Sequence, residues 1–225
     1  MISQREVQDW FDGIYRDRGL SYLRPFDAYR IFLDLVDARA GERLLDIACG
    51  PGLLLRDAVG RGLDAHGIDI SAIAAAMVGD QAPGSVVSVA SAEALPYPDA
   101  SFDLLTCIGA VERFLDRVRA LGEFRRVLRP GGRLCIMVRN ARTLSWLGLS
   151  LTGRRNRAGH QDADTLEGWT RLLGAAGFSG RRVLPDLWAW QRLGIVRPGR
   201  PVGGLTQLMP LRFANEFIFV LENRP

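Results

Sequence analysis

The sequence predicts an α/β fold in which helices cover both faces of a mostly parallel sheet. Apolar, strand-like segments alternate along the chain with amphipathic helical segments, and this alternation favours parallel strands joined by right-handed crossovers. A glycine-rich turn follows the first of the strand-like segments. The chain has 225 residues, of which 48% are hydrophobic, so it is long enough to bury one full core, and we expect a single domain over residues 1–225.

The first part of the chain, residues 1–40, predicts a helical cap ahead of the sheet. Apolar residues recur at helical spacing over residues 7–18 and 26–40, which indicates two amphipathic helices. The core of the domain is expected over residues 41–140. Strands are predicted over residues 43–48, 64–69, 85–90, 103–108, 133–139, 181–187 and 215–221. Further helices are predicted over residues 53–61, 72–78, 115–128 and 165–176.

Two segments do not fit the alternation of strands and helices. Residues 140–160 and 188–211 are rich in Arg, Gly or Pro, and insertions of this length are usually functional loops or disordered segments. We expect both on the substrate side of the domain, near the carboxyl ends of the strands, where open α/β sheets bind ligands. This side is expected to be basic, because residues 139–200 contain 11 arginines against 4 acidic residues.

The first strand leads into a short acidic and glycine-rich sequence. Residues 44–52 read LLDIACGPG, and residues 67–71, at the end of the next strand, read GIDIS. An acid and a glycine turn after one strand, with a second acid after the next, are typical of a nucleoside pocket in a βαβ unit. We therefore expect a nucleoside-containing cofactor at this turn, with Asp69 placed to accept its ribose hydroxyls.

Two cofactor classes compete for this pocket. A dinucleotide site has a third glycine where this chain has Leu55, and a carboxylate at Asp46 would repel the dinucleotide phosphates. S-adenosylmethionine carries a sulfonium and an ammonium group, which the same carboxylate attracts. The residues around the turn therefore favour S-adenosylmethionine.

Two further segments match a known family. Residues 91–103 read SAEALPYPDASFD, and residues 128–133 read LRPGGR. Together with the glycine turn, they resemble the ordered signatures of the class I S-adenosylmethionine-dependent methyltransferases, above all the small-molecule branch known as type 11, over about residues 40–140. The resemblance implies a Rossmann-like sheet of seven strands, mostly parallel with an antiparallel last strand, and S-adenosylmethionine as the cofactor.

Most of the predicted cofactor-binding residues come from the ends of the first two strands and from residues 91–103, which resemble the third of the family's signatures. Many family members have an acid before the alanine of that signature, where this chain has Ser91, so the Ser91 hydroxyl or Glu93 is expected to bind the adenine amine. The Ala92 amide is expected to serve the adenine ring. The predicted cofactor-binding set is Asp46, Ala48, Gly50, Gly52, Asp69, Ile70, Ser91, Ala92, Glu93 and Ile108.

Few residues are candidates for a catalytic role. Methyl transfer from a sulfonium is an in-line displacement, so the protein mainly has to position the acceptor and exclude water. A general base is needed only where the acceptor must lose a proton, and the candidates are His160 and Glu112. Each has a structural alternative, a loop or capping role for His160 and an ion pair with an arginine for Glu112. Many family members carry a Glu-His pair where this chain has Glu112 and Arg113, which weakens any proton relay taken from the resemblance.

Aromatic residues in the cap and in the first insertion are candidate substrate contacts. Tyr15 and Tyr22 belong to the predicted cap, and Trp146 lies in the first insertion. They favour a small acceptor that is aromatic or otherwise apolar, such as a natural-product or quinone-like intermediate. An anionic group on this acceptor, met by an arginine, would fit the basic substrate side.

Several other partners are disfavoured by the sequence. Residues 107–110 read CIGA, unlike the Asn/Asp-Pro-Pro-aromatic signature of methyltransferases that act on nucleic-acid bases, so no nucleic-acid partner is expected. No apolar run approaches the roughly 20 residues of a membrane span, and the first residues contain no apolar signal segment, so we expect a cytoplasmic protein without stable membrane insertion. The three cysteines lack metal-ligand or disulfide spacing, so no metal is expected. A monomer or a homodimer is expected.

Two alternative functions fit the same sequence. Residues 144–151 read LSWLGLSL and are followed by arginines, a pattern that suits a membrane surface and would make the substrate a lipid. A methyltransferase-like subunit that binds the cofactor without catalysing transfer would carry the same motifs, and Arg113 in place of the family's histidine allows this.

Overall fold

Seven strands form one mixed sheet in the computed structural model, which describes residues 2–143, 146, 162–186, 211 and 214–224. The strands are β1 (Arg43–Ile47), β2 (Asp64–Asp69), β3 (Val86–Val89), β4 (Phe102–Ile108), β5 (Leu128–Arg139), β6 (Phe178–Pro185) and β7 (Glu216–Asn223). Their order across the sheet is β3-β2-β1-β4-β5-β7-β6, and β7 runs antiparallel to both of its neighbours. This arrangement confirms the predicted fold class, including the antiparallel last strand.

The α-helices of the described residues surround this sheet. They are α1 (Gln4–Arg18), α2 (Arg30–Leu35), α3 (Leu53–Gly60), α4 (Ala72–Gln81), α5 (Arg117–Val127) and α6 (Leu166–Ala175). Four of them begin at a polar side chain that accepts a hydrogen bond from an N–H group of the first turn, which would otherwise lack a partner. These capping residues are Ser3, Ser71, Asp116 and Thr165.

The helices pack on both faces of the sheet. Phe124 of α5 and Trp169 of α6 are fully buried on one face, together with Leu45 of β1. Phe32 of α2 is fully buried on the opposite face, together with Leu44 of β1. Successive side chains of a strand point to opposite faces, which is how one strand serves both cores. Each fully buried side chain of this size stabilises the fold by about 1.5–3 kcal/mol, so both faces hold the sheet in place.

The register of the central strands sets the position of the site. Asp46 of β1 pairs with Gly67 of β2 on one side and with Thr106 of β4 on the other. Because β2 and β4 lie on opposite sides of β1, the chain reverses its direction across the sheet here, and ligands of open α/β sheets bind beyond the carboxyl ends of the strands at such a point. The residues that follow β1, β2 and β4 therefore meet at one edge of the sheet.

The second cap helix is shorter than predicted. The sequence predicts one helix over residues 26–40, whereas the structure has a 3-10 turn at Phe26–Ala28 and then the short α2. This prediction was wrong because α2 is capped early. Asp37 adopts a left-handed φ of 49°, and the Ala38 N–H donates to the Leu33 carbonyl, a bonding pattern that ends helices. The helical spacing of the apolar residues does not reveal that Asp37 adopts this left-handed backbone conformation.

Most of the two predicted insertions, residues 140–160 and 188–211, lies outside the described residues. The described start of the first insertion is anchored by Asn140. Its backbone forms an isolated β-bridge with Asp164, and its side-chain amide donates to the Ala214 carbonyl at 2.8 Å. Within the described part of the chain, no helix is both long enough and apolar enough to cross a membrane.

Candidate functional site

A cavity of about 1030 Å³, its opening to solvent included, lies beyond the carboxyl ends of β1, β2 and β4 and beneath α1. Gly52, a predicted cofactor-binding residue, is the N-cap of α3 and is not among the described wall residues. The structure brings the other predicted cofactor-binding residues together on the cavity wall, namely Asp46, Ala48, Gly50, Asp69, Ile70, Ser91, Ala92, Glu93 and Ile108.

The turn after β1 depends on its two glycines. Gly50 and Gly52 have φ values of 54° and 86°, a left-handed backbone that favours glycine. A Cβ atom at Gly50 would lie 2.9 Å from the Tyr15 Oη, and one at Gly52 would lie 2.9 Å from the Val78 Cγ1. The first glycine therefore makes room for a cap side chain, and the second allows α3 to start close against α4.

Asp69, at the end of β2, fastens this turn to the next helix. Its carboxylate accepts hydrogen bonds of 2.8 Å from the Gly50 N–H and of 2.8 Å from the Ser71 N–H. Burial raises the pKa of Asp69 to about 6, although these backbone donors favour the ionised form. Each carboxylate oxygen can accept more than one hydrogen bond, so Asp69 can hold the turn and still accept from ribose hydroxyls.

Asp46 is the second buried carboxylate of the wall. The Thr106 hydroxyl donates to it at 2.7 Å, and burial raises the pKa of Asp46 to about 7. A cation in the cavity would favour the ionised forms of Asp46 and Asp69, whereas a pyrophosphate would oppose them. Asp46 therefore favours a cofactor with a sulfonium and an ammonium group over a dinucleotide, whereas Asp69 suits the ribose of either.

At the Ser91 end of the cavity, a cap residue joins the predicted set. The Gln4 Nε2 donates to the Ser91 Oγ at 2.8 Å and to the Glu93 Oε2 at 2.9 Å. The other oxygen of Glu93 accepts from the N–H groups of Leu115 and Asp116 at 2.8 and 3.0 Å. Glu93 thus ties the cap to the segment before α5, and its expected bond to the adenine amine stays a prediction. Gln4 was missed because its partners lie about 90 positions along the chain.

Aromatic side chains of the cap form the roof of the cavity. Phe11, Tyr15 and Tyr22 all lie on its wall, with the Tyr15 ring 6.4 Å from that of Phe11 and 5.9 Å from that of Tyr22. Burial raises the pKa of Tyr15, so its hydroxyl is neutral at ordinary pH. The structure therefore places both predicted substrate tyrosines at the cavity, together with Phe11, which the sequence analysis did not select.

Glu112, one of the two predicted catalytic residues, is not part of the described cavity wall. Glu112 is fully buried, its carboxylate lies 3.3 Å from the Arg139 Nε, and burial raises its pKa while Arg139 opposes this rise. This contact is the ion pair that stood as the structural alternative for Glu112. The neighbouring Arg113 does line the cavity and was not among the selected site residues. His160 lies outside the described residues.

Trp146 is buried, with 4% of its surface exposed, and its backbone N–H donates to the Thr143 Oγ1 at 3.2 Å. It does not belong to the described wall of the cavity, so a substrate contact by Trp146 stays a prediction. The three cysteines, Cys49, Cys107 and Cys135, are buried free thiols. Within the described ranges, no group of three or more His, Cys, Asp or Glu side chains could hold a metal ion.

Comparison with known proteins agrees with this geometry. Residues 45–136 match the family model described as a methyltransferase domain. The chain is 38% identical over 109 residues to a 27-O-demethylrifamycin SV methyltransferase of Amycolatopsis mediterranei, a match that covers 45% of this chain and 40% of that protein. It is 36% identical over 107 residues to a demethylmenaquinone methyltransferase of Beutenbergia cavernae, covering 48% of this chain and 45% of that protein. The chain thus spans less than half the length of these two relatives.

A solved structure shares the fold over nearly the whole chain. The crystal structure of a SAM-dependent methyltransferase from Thermotoga maritima superposes with a TM-score of 0.70 at 20% identity, covering 97% of this chain and 100% of that chain. At this level of identity, the likeness concerns the fold alone.

Proposed function

We propose that this chain, whose residues 45–136 form a methyltransferase domain on the class I S-adenosylmethionine-dependent fold, transfers the methyl group of S-adenosylmethionine to a small organic acceptor. One observation carries the proposal. Two buried carboxylates, Asp46 and Asp69, stand at the ends of adjacent strands on the wall of a cavity that an aromatic cap covers. Buried acids with raised pKa values are poised for a cationic ligand, and S-adenosylmethionine is cationic.

The residues of the wall divide the binding of the cofactor between them. Asp69 would accept the ribose hydroxyls, while its bonds to Gly50 and Ser71 keep the turn in shape. Asp46 would attract the charged methionine end, because a carboxylate in a poorly solvated site attracts a cation more strongly than in water. Ser91 and Ala92 would hold the adenine beneath Gln4.

When bound, S-adenosylmethionine supplies an electrophilic methyl group. The chain's own residues then have to hold the acceptor in line with that methyl group and keep water away from it. Tyr15, Tyr22 and Phe11 would contribute to both, because their rings cover part of the cavity and offer flat apolar surfaces to an acceptor. Positioning and exclusion of water, with no covalent intermediate, are the catalytic contributions that we assign to this cavity.

The aromatic roof supports an acceptor that is aromatic or otherwise apolar. The two relatives above are named for a rifamycin and a menaquinone precursor, and both of these names denote small organic acceptors. We infer an acceptor of the same class for this chain, a natural-product or quinone-like intermediate. Glu112 and His160 both stay candidate bases, and the pairing of Glu112 with Arg139 supports the structural alternative for Glu112.

Labelling tests the proposal directly. The purified protein is incubated with methyl-labelled S-adenosylmethionine and a fractionated extract of its source cells, and the label is followed into organic-soluble small molecules, lipids and protein. We expect label in the small-molecule fraction, and none with Asp69→Ala protein. Label in the lipid fraction would show a membrane-surface substrate instead. Cofactor binding without label in any fraction would contradict the proposal and favour a binding subunit.

A further inference from the structure

The charged residues of the cavity wall are segregated by sign. Among the described wall residues, Asp46, Asp69 and Glu93 are acidic, and all of them belong to the predicted cofactor-binding set. Arg113 is the basic residue of the described wall, and it follows β4 on the side where the roof tyrosines lie. The acidic residues match a cationic cofactor, whereas the positive charge of Arg113 suits a negatively charged group on the other molecule in the cavity.

Aromatic rings of the cap hold Arg113 at the wall. Its guanidinium carbon lies 5.3 Å from the Trp10 ring centre and 5.2 Å from the Phe11 ring centre, and its Nη2 donates to the Tyr22 hydroxyl at 3.4 Å. Arg113 is only 7% exposed, and burial lowers its pKa, yet an arginine keeps its charge inside a protein. The cavity therefore contains a fixed positive charge that is poorly screened by water.

The neighbouring Glu112 carboxylate acts on two arginines, because it lies beside Arg139 and its charge also favours the charged form of Arg113. Glu112 Oε1 lies 3.3 Å from the Arg139 Nε, and Glu112 is not part of the described wall. A planar guanidinium presents its N–H donors in a fork that matches two carboxylate oxygens or one phenolate oxygen. The charge, its burial and the roof rings around it all suit a flat anion.

We propose that Arg113 recognises an oxyanion on the acceptor, a carboxylate or a phenolate borne by an aromatic ring. This inference rests on the proposed function, since it defines the class of acceptor more narrowly. It also gives a phenolic acceptor a route to reaction that needs no general base from the protein. A phenol that binds as its anion has already released its proton to solvent, and the positive charge of Arg113 favours that form.

Matched ligands test the carboxylate form of the proposal. Benzoate, 1-naphthoate, 2-naphthoate and 3-hydroxy-2-naphthoate are titrated beside their carboxamides into protein saturated with S-adenosylhomocysteine, and binding is followed by calorimetry. We expect at least one carboxylate to bind about ten- to a hundredfold more tightly than its amide, the range for one charge-assisted hydrogen bond. The preference should vanish in Arg113→Gln and persist in part in Arg113→Lys.

A phenol tests the second form of the proposal. The coloured anion of 4-nitrophenol should appear at lower pH on the wild-type protein than in free solution, and this shift should be absent in Arg113→Gln. Arg117→Gln is the matched control, because Arg117 also lies 5.2 Å from an aromatic ring, that of Trp169, yet is not part of the described wall. Both ligand preferences should survive in that variant.

The outcomes separate this inference from the proposed function. If no carboxylate is preferred over its amide and 4-nitrophenol shows no shift, the inference is wrong even where S-adenosylhomocysteine binds. It is equally wrong if either preference persists in Arg113→Gln. If S-adenosylhomocysteine does not bind but the anion preference depends on Arg113, the oxyanion site stands and the proposed function fails. The comparison of the wild-type protein with paired ligands holds even if a variant fails to fold.

Discussion

The floor and the roof of the cavity are held together in different ways. The floor, formed by the residues that follow β1 and β2, is held by hydrogen bonds within one βαβ unit. Asp69 binds Gly50 and Ser71, which lie 19 and 2 positions away in the sequence. The roof, formed by α1 and the turns that follow it, is bonded to distant parts of the chain. Gln4 reaches Ser91 over 87 positions, and Arg24 reaches Asp186 over 162. The floor is thus a local structure, and the roof depends on the completed fold.

The largest effect is expected where the floor itself is broken. Asp69→Ala removes the acceptor of two backbone N–H groups, and each one left without a partner costs about 1–3 kcal/mol. We expect a loss of about 2–5 kcal/mol in the free energy of unfolding, measured in urea, and cofactor affinity weaker by at least about a hundredfold, measured by calorimetry.

Asp69→Asn is the matched control for this change. Its amide oxygen can still accept one backbone hydrogen bond, so we expect smaller losses of stability and of affinity than in Asp69→Ala. Cofactor affinity unchanged in Asp69→Ala would contradict the placement of the ribose at this carboxylate.

The contrast between floor and roof explains what the sequence could predict. Asp46, Gly50 and Asp69 were selected because a strand, a turn and a second strand fix their positions within about 25 residues. Gln4 and Arg113 were missed because their roles arise from contacts between distant segments, and no local spacing records such contacts. The predicted helix over residues 26–40 failed for a related reason, since one left-handed residue, Asp37, ends α2 against the apolar pattern.

A second large effect is expected where the roof is anchored. Arg24 donates to both carboxylate oxygens of Asp186 at 3.0 Å and also pairs with Glu216. Arg24→Gln would leave two largely buried carboxylates facing each other, with only the more distant Arg139, 3.8 Å from Glu216, as a described cation beside them. The free energy of unfolding should therefore fall by about 2–4 kcal/mol. Arg16→Gln, an exposed arginine on α1, should change it by less than about 0.5 kcal/mol.

The loss in Arg24→Gln should depend on pH. Burial raises the pKa of Glu216 to about 7, so this carboxyl is protonated at about pH 5 and no longer repels Asp186. The difference in stability between Arg24→Gln and the wild-type protein should therefore be smaller at about pH 5 than at about pH 8. An equal difference at both pH values would show that Arg24 stabilises the roof by packing and not by charge.

A moderate effect on cofactor affinity is expected from protonating the two carboxylates of the floor, Asp46 and Asp69. The pKa values of Asp46 and Asp69 are raised to about 7 and about 6, so the folded protein holds protons that the unfolded chain has already lost above about pH 4. Ionising these groups costs stability as the pH rises towards 7, whereas a cationic cofactor favours the ionised forms. We expect the affinity for S-adenosylmethionine to fall about tenfold between about pH 8 and pH 5.

Two comparisons attribute this pH dependence to the carboxylates. Asp46→Asn should flatten the part of the profile near pH 7, because it removes the group that titrates there. S-adenosylhomocysteine, which lacks the sulfonium charge, should show a weaker dependence than S-adenosylmethionine. A flat profile for S-adenosylmethionine on the wild-type protein would mean that the floor carboxylates do not sense the charge of the ligand.

The smallest effect is expected at the exposed end of the roof. Gln4→Ala removes the hydrogen bonds to Ser91 and Glu93, which are exposed to solvent, so the free energy of unfolding should change by less than about 0.5 kcal/mol. These bonds nevertheless favour the closed position of α1 over the Ser91 end of the cavity. A cap that opens more often lowers the fraction of protein ready to hold a ligand, and cofactor affinity should weaken about two- to fivefold.

Gln8 offers the matched comparison on the same helix. It lies one turn after Gln4 and makes no hydrogen bond to any side chain in the described part of the molecule, so Gln8→Ala changes the same residue type without releasing the cap. Calorimetric titration of both variants with S-adenosylhomocysteine should show weaker binding for Gln4→Ala alone. Equal affinities would mean that the roof covers the Ser91 end of the cavity without controlling access, and that the floor alone sets the affinity for the cofactor.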